Sequence, residues 1–125
     1  MKYCIAKQCS GADVSHPAVG SPQASMAAIT MSLDAYACRY AAAVQTNGYR
    51  VEMITPANLK HMFLRLVHKF VQIHQAGPKH IYYFRDGVSE GQYSQVLEQE
   101  VKEMKRLLAE KYGQLGANVS IHCSS

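Results

Sequence analysis

The sequence predicts an α/β fold: three antiparallel strands, a helix, a strand parallel to the first, a second helix and the start of a fifth strand. Three observations carry this reading. His80-Ile81-Tyr82-Tyr83-Phe84 is a run of β-branched and aromatic residues, as in a buried strand, and it stops at Arg85-Asp86-Gly87, a carboxylate before a glycine turn. Ser89 with Gln92 then has the form of a capping box, and Tyr93, Val96, Leu97, Val101, Met104, Leu107 and Leu108 follow at helical spacing. Upstream, small and branched residues alternate with turn signals before a second amphipathic stretch.

Residues 1–10 should supply the first strand, although Lys7, Gln8 and Ser10 interrupt the apolar run that a central strand ordinarily shows. Gly20 to Ser25 reads as a loop, Met26 to Leu33 as a strand, Asp34-Ala35 as a turn and Tyr36 to Val44 as the return strand. Thr46-Asn47-Gly48 closes that strand with a turn signal. Glu52 lies in a short segment, Arg50 to Ile54, between apolar neighbours. Thr55 is a candidate cap and Pro56 suits a first helical turn, with Leu59, Phe63, Leu66, Val67, Phe70 and Val71 as the buried stripe. Ala76-Gly77-Pro78 ends that helix, Gly113 to Asn118 reads as a loop, and Val119 to His122 begins the last strand. Three antiparallel strands, helix, strand, helix, strand is the element order of the ribonuclease H-like fold.

A chain of 125 residues is expected to form one domain, large enough to bury roughly two-thirds of its unfolded surface. A net charge of +4 and a pI near 8.9 permit a polyanionic partner without requiring one. Cys4, Cys9, Cys38 and Cys123 lack Cys-x-x-Cys spacing and read as reduced thiols of an intracellular protein, so zinc is not expected. Lys7 and Gln8 cut the amino end short of a signal peptide, and no segment has the length of a membrane span, so the expectation is a soluble protein. Repeats, phosphate-binding glycine loops, dinucleotide fingerprints and a Ser-His-Asp order are absent.

An Asp-Gly pair after a strand is, by itself, a turn more often than a catalytic carboxylate. A second acidic tip changes this: Gly11-Ala12-Asp13-Val14-Ser15-His16-Pro17 near the amino end. Together with His80 to Gln92, it closely resembles the Piwi domain of Argonaute proteins, and the resemblance runs from about Gly11 to about Leu108. Residues 1–10 and 117–125 match poorly, and the resemblance implies a truncated ribonuclease H-like domain spanning 1–125. By position it implies Asp13, Glu52 and Asp86 as the catalytic set, with Asp13 and Asp86 as metal ligands and Glu52 completing and orienting the site. The family's fourth ligand, an aspartate or histidine farther downstream, has no counterpart here, because His122 falls too early.

The chemistry suits those residue types. Cleaving a phosphodiester requires stabilising charge on the attacking, leaving and non-bridging oxygens, which a pair of divalent ions about 3.5–4 Å apart does. Magnesium or manganese at such a site takes a few carboxylates, with water and substrate phosphate filling the rest. Carboxylates at the ends of adjacent parallel strands, about 4.7–4.9 Å apart, come within range of a shared ion. His16 is expected to border the site as a hydrogen-bonding residue, and His61, His68, His74 and His80 to be surface histidines.

The resemblance implies a guide-directed, magnesium-dependent endoribonuclease of RNA silencing. Its partners would be a small guide RNA and a target RNA, read through A-form geometry, and tryptophan-bearing silencing proteins. The implied compartment is the cytoplasm, or also the nucleus. Without the fourth ligand, this polypeptide alone is not expected to cut. Two alternatives stand beside that reading: a non-catalytic nucleic-acid- or protein-binding module, and a truncated gene product without independent function.

Overall fold

A computed structural model describes residues 7–34 and 39–124, and β1 (Lys7–Ser15) runs through the middle of its single sheet. β2 (Met26–Ser32) lies antiparallel beside β1, and β3 (Tyr40–Thr46) antiparallel beside β2. β4 (His80–Arg85) and β5 (Ser120–Ser124) extend the other side in parallel, giving the order β3-β2-β1-β4-β5. This is the predicted α/β topology. Tyr36 and Cys38, assigned to the return strand, and Cys4 lie outside the described residues; the described strand starts at Tyr40 and runs on through Thr46. Asp34 Oδ1 accepts the Arg39 N–H at 3.0 Å at the base of this hairpin.

The polar first strand has a specific solution. Gln8 and Ser10 are buried, and Gln8 donates its side-chain amide to the Ser32 carbonyl at 3.2 Å, while Ser32 Oγ accepts the Cys9 N–H at 2.9 Å. Cross-strand side-chain bonds thus replace part of the apolar run. The same face continues with Ala12 and Val14, and the core forms where Ala27, Ile29, Met31, Ile81 and Tyr83 meet the helices.

α1 (Pro56–His74) starts as its sequence requires: Thr55 is extended, its hydroxyl accepts the Asn58 N–H at 3.3 Å, and Pro56 occupies the first turn. Leu59, Phe63, Leu66, Val67 and Phe70 are buried in a stripe, joined by Met62 and Leu64. The second helix comprises α2 (Glu90–Gln95), a π-helical stretch (Val96–Val101) and α3 (Lys102–Tyr112). The widened turn brings Val96, Glu100 and Val101 inward and leaves Leu97, expected on the buried stripe, 40% exposed. Gly113 to Asn118, expected as a loop, contains one short helix, α4 (Gln114–Ala117). α4 crosses α3 so closely that a Cβ on Gly116 would stand 2.0 Å from the Leu108 carbonyl oxygen, which only glycine accommodates. Among the described residues, no helix is long and apolar enough to cross a membrane.

Candidate metal and nucleic-acid site

The parallel pairing of β1 with β4 builds the site. Ala12 is in register with Arg85, and the Asp86 N–H continues the ladder to the Ala12 carbonyl at 2.9 Å, so Asp13 and Asp86 stand side by side at one end of two central strands. Both are exposed. Gly87, at φ 78°, turns the chain over Asp13: the left-handed backbone angle favours glycine, and a Cβ there would lie 2.9 Å from Asp13 Oδ1, so a larger residue would also displace that carboxylate. The Gly87 N–H also donates to Asp86 Oδ1 at 2.9 Å, fixing that carboxylate's orientation.

Glu52 reaches the same end from the segment between β3 and α1. Its Oε2 lies 2.7 Å from His16 Nε2, and His16 Nδ1 lies 2.5 Å from Ser25 Oγ. His16 therefore borders the site as a hydrogen-bonding residue and ties Glu52 to the end of β1. The segment is shaped by Asn47, read from the sequence only as a turn residue. Its Nδ2 donates to the Val51 and Met53 carbonyls at 3.0 and 2.9 Å, and its Oδ1 accepts from Thr55 N and Asn58 Nδ2 at 3.2 and 3.0 Å.

Beneath the three acids lies a buried network that the sequence reading missed. Arg85 is fully buried; it donates from Nη1 to the Asp86 carbonyl at 2.6 Å and from Nη2 to the Glu52 carbonyl at 2.5 Å. One guanidinium thus clamps the backbones carrying two of the acids. Its Nε faces both oxygens of buried Glu100, at 3.0 and 3.2 Å, and Glu100 also accepts from the Tyr83 hydroxyl at 2.7 Å and the Ile54 N–H at 2.9 Å. Burial, then the adjacent Glu100 charge, pushes the Tyr83 hydroxyl pKa well above its ordinary value. Two signals were present: an arginine closing an otherwise apolar strand, and a glutamate four residues after Val96 and four before Met104.

Asp13 and Asp86 offer hard oxygen donors that suit magnesium or manganese, which needs only one or two protein carboxylates. Glu52 Oε2 is hydrogen-bonded to His16, and among the described residues no three His, Cys, Asp or Glu side chains are grouped to hold a metal. Away from the site, His80 Nδ1 and His122 Nε2 stand 3.1 Å apart, with the His122 ring stacked on Tyr82.

The profile of the Piwi domain matches residues 3–122. The chain belongs to the Piwi domain family. It is similar to argonaute 2 of Oryza sativa subsp. japonica, 36% identical over 102 residues that cover 81% of this chain and 10% of that protein. It is also similar to the argonaute of Schizosaccharomyces pombe, 36% identical over 95 residues that cover 76% of this chain and 11% of that one. Among solved structures, the Piwi-family chain superposes on Kluyveromyces polysporus Argonaute with a guide RNA at a TM-score of 0.79 and 28% identity, covering 94% of this chain and 13% of that one. It spans about a tenth of the length of the curated relatives it matches.

Proposed function

We propose that this chain forms the Asp13–Asp86 part of a guide-directed, metal-dependent endoribonuclease site. The observation that carries the reading is the side-by-side placement of the two exposed carboxylates, with Asp86 and Glu52 braced by one buried arginine. Asp13 and Asp86 would hold magnesium or manganese, and a bound ion supplies charge stabilisation at the phosphodiester oxygens. Arg85 keeps the Asp86 and Glu52 backbones in fixed relation, the Gly87 turn sets the Asp86 carboxylate, and His16 holds Glu52 at the border of the site. Base pairing between guide and target supplies sequence selectivity, while the protein contacts sugar and phosphate of the A-form duplex. The K. polysporus structure contains a guide RNA, which supports a nucleic-acid partner for this chain. On this reading the working compartment is the cytoplasm, or the nucleus as well.

With Asp13 and Asp86 as the candidate ligands and no third metal-binding side chain grouped with them among the described residues, the chain by itself binds duplex without turning it over. Thermal unfolding with millimolar manganese tests the metal part: the melting temperature rises for the unmutated chain and not for Asp86→Ala, since a ligand of the folded state alone stabilises it. An equal response of the two would overturn the reading. Duplex binding retained in Asp86→Ala, without cleavage by either chain, is the companion result; multiple-turnover cleavage by the unmutated chain would contradict it.

A cavity of about 490 Å³ supports a protein partner as well. Val67, Val71, Pro78, Leu108 and Tyr112 line it, and the buried Tyr112 hydroxyl has no hydrogen-bond partner among the described residues. An apolar wall of this kind fits the ring of a tryptophan side chain. A tryptophan-bearing peptide should show blue-shifted fluorescence with the unmutated chain and lose that shift with Val71→Glu. An unchanged spectrum with the unmutated chain would refute this partner.

A further inference from the structure

β3 is the outermost strand on its side of the sheet, and its hydrogen-bonding phase can be derived. The Leu33 N–H bonds the Arg39 carbonyl and the Asn47 N–H bonds the Ser25 carbonyl, each at 2.7 Å, in the register that pairs Ala28 with Val44. The odd-numbered residues of β3 therefore turn their backbone groups toward β2, and the even-numbered ones turn theirs outward. The outward carbonyl of Thr46 is taken by Asn58 Nδ2 at 2.7 Å, as this phase requires. Ala42 and Val44 have no such partner among the described residues. Edge strands are usually blunted by a lysine, a proline or a bulge. Tyr40–Thr46 has no lysine or proline, and its pairing with β2 is unbroken.

Along this edge runs a groove of about 260 Å³ between β3 and α1. Ala41, Ala43, Met62 and Leu66 form its base, and His61, Arg65 and Lys69 rise along it at every fourth position of the helix. The three are exposed, and among the described residues none is in a salt bridge. Neither α1 nor β3 contains an aspartate or glutamate.

We propose that this edge binds an extended acidic peptide of a partner protein as an added strand. Main-chain bonds form to Ala42 and Val44, and acidic side chains at alternate positions face Arg65 and Lys69. The spacings agree: alternate residues of a strand are about 6.7 Å apart, and every fourth residue of a helix about 6 Å. Main-chain pairing supplies affinity and the alternate side chains supply selectivity. A nucleic-acid backbone would satisfy the cations but offers no peptide ladder to Ala42 and Val44.

The test uses the full chain and three fluorescein-labelled probes: a short peptide alternating threonine and glutamate, its threonine–lysine counterpart, and a single-stranded RNA of similar length. Anisotropy should show binding of the glutamate peptide and not the lysine peptide. Arg65→Glu should weaken it about tenfold or more, as removing charge complementarity does. Val44→Pro, which removes an outward N–H without touching a bond to β2, should weaken it comparably. Lys69→Glu and Ala42→Pro repeat the two halves at neighbouring positions, and only variants with an unchanged melting curve are compared. Full binding by a folded proline variant, tighter binding of RNA that depends on Arg65 alone, or no binding of the glutamate peptide would each overturn the proposal.

Discussion

Arg85 and Glu100 show how a single buried pair serves the acids above it. Removing a charge from water costs several kcal/mol, and a buried pair persists only when the remaining hydrogen-bonding positions are satisfied. Here they are met by Tyr83, Ile54 and the carbonyls of Asp86 and Glu52, so stability and site geometry depend on the same contacts. Tyr83 makes this measurable through pH. Its pKa is raised in the folded state because burial, then Glu100, disfavours the phenolate. Folding therefore retains a proton that the unfolded chain releases above the ordinary tyrosine value of 10.0, and stability must fall as pH rises past that point. Urea unfolding between pH 8 and pH 11 should show this decline, and Tyr83→Phe should flatten it while costing about 1–3 kcal/mol at neutral pH for the lost buried bond. An identical slope in the variant would assign the decline to other groups.

At the scale of elements, segments whose sequence encodes their own geometry were legible. The Thr55-Pro56 start of α1, the Ser89–Gln92 capping box, the helical stripe of α1 and the acid-glycine end of β4 depend on neighbours within a few residues. What escaped depends on distant partners. Gln8 is acceptable in a central strand because of Ser32, the π-helical stretch turns Glu100 toward Arg85, and Asn47 is occupied by Val51, Met53, Thr55 and Asn58. The acids were identified by resemblance, whereas their bracing by Arg85 and the capture of Glu52 by His16 needed coordinates. Asn47→Ala tests the element-level role. Losing those bonds leaves partly buried backbone groups unsatisfied and should cost about 2–3 kcal/mol. The denaturation midpoint should drop with the slope unchanged, because the surface exposed on unfolding stays the same. A midpoint unmoved by the substitution would mean that the Glu52 segment holds its shape without Asn47.

For the molecule as a whole, the sheet is asymmetric. One face carries Ala12, Val14, Ile29, Ile81 and Tyr83 into the core with the helices, while the other presents Asp13, Val44 and Phe84 to solvent. Alternation along β4 makes the contrast sharp, because Ile81 is fully buried and Phe84, three residues later on the opposite face, is 53% exposed. Hydrophobic burial should then reside on one side only. Ile81→Ala removes packed methylene groups and leaves a cavity, so it should cost about 2–5 kcal/mol. Phe84→Ser removes a larger side chain yet should stay within about 0.5 kcal/mol, as exposed substitutions usually do. The two variants differ little in position and greatly in face, so comparing their urea midpoints isolates the direction of burial from the identity of the strand. A large loss from Phe84→Ser would mean that the outer face is covered in solution, and that the carboxylate end of the sheet opens onto an interface.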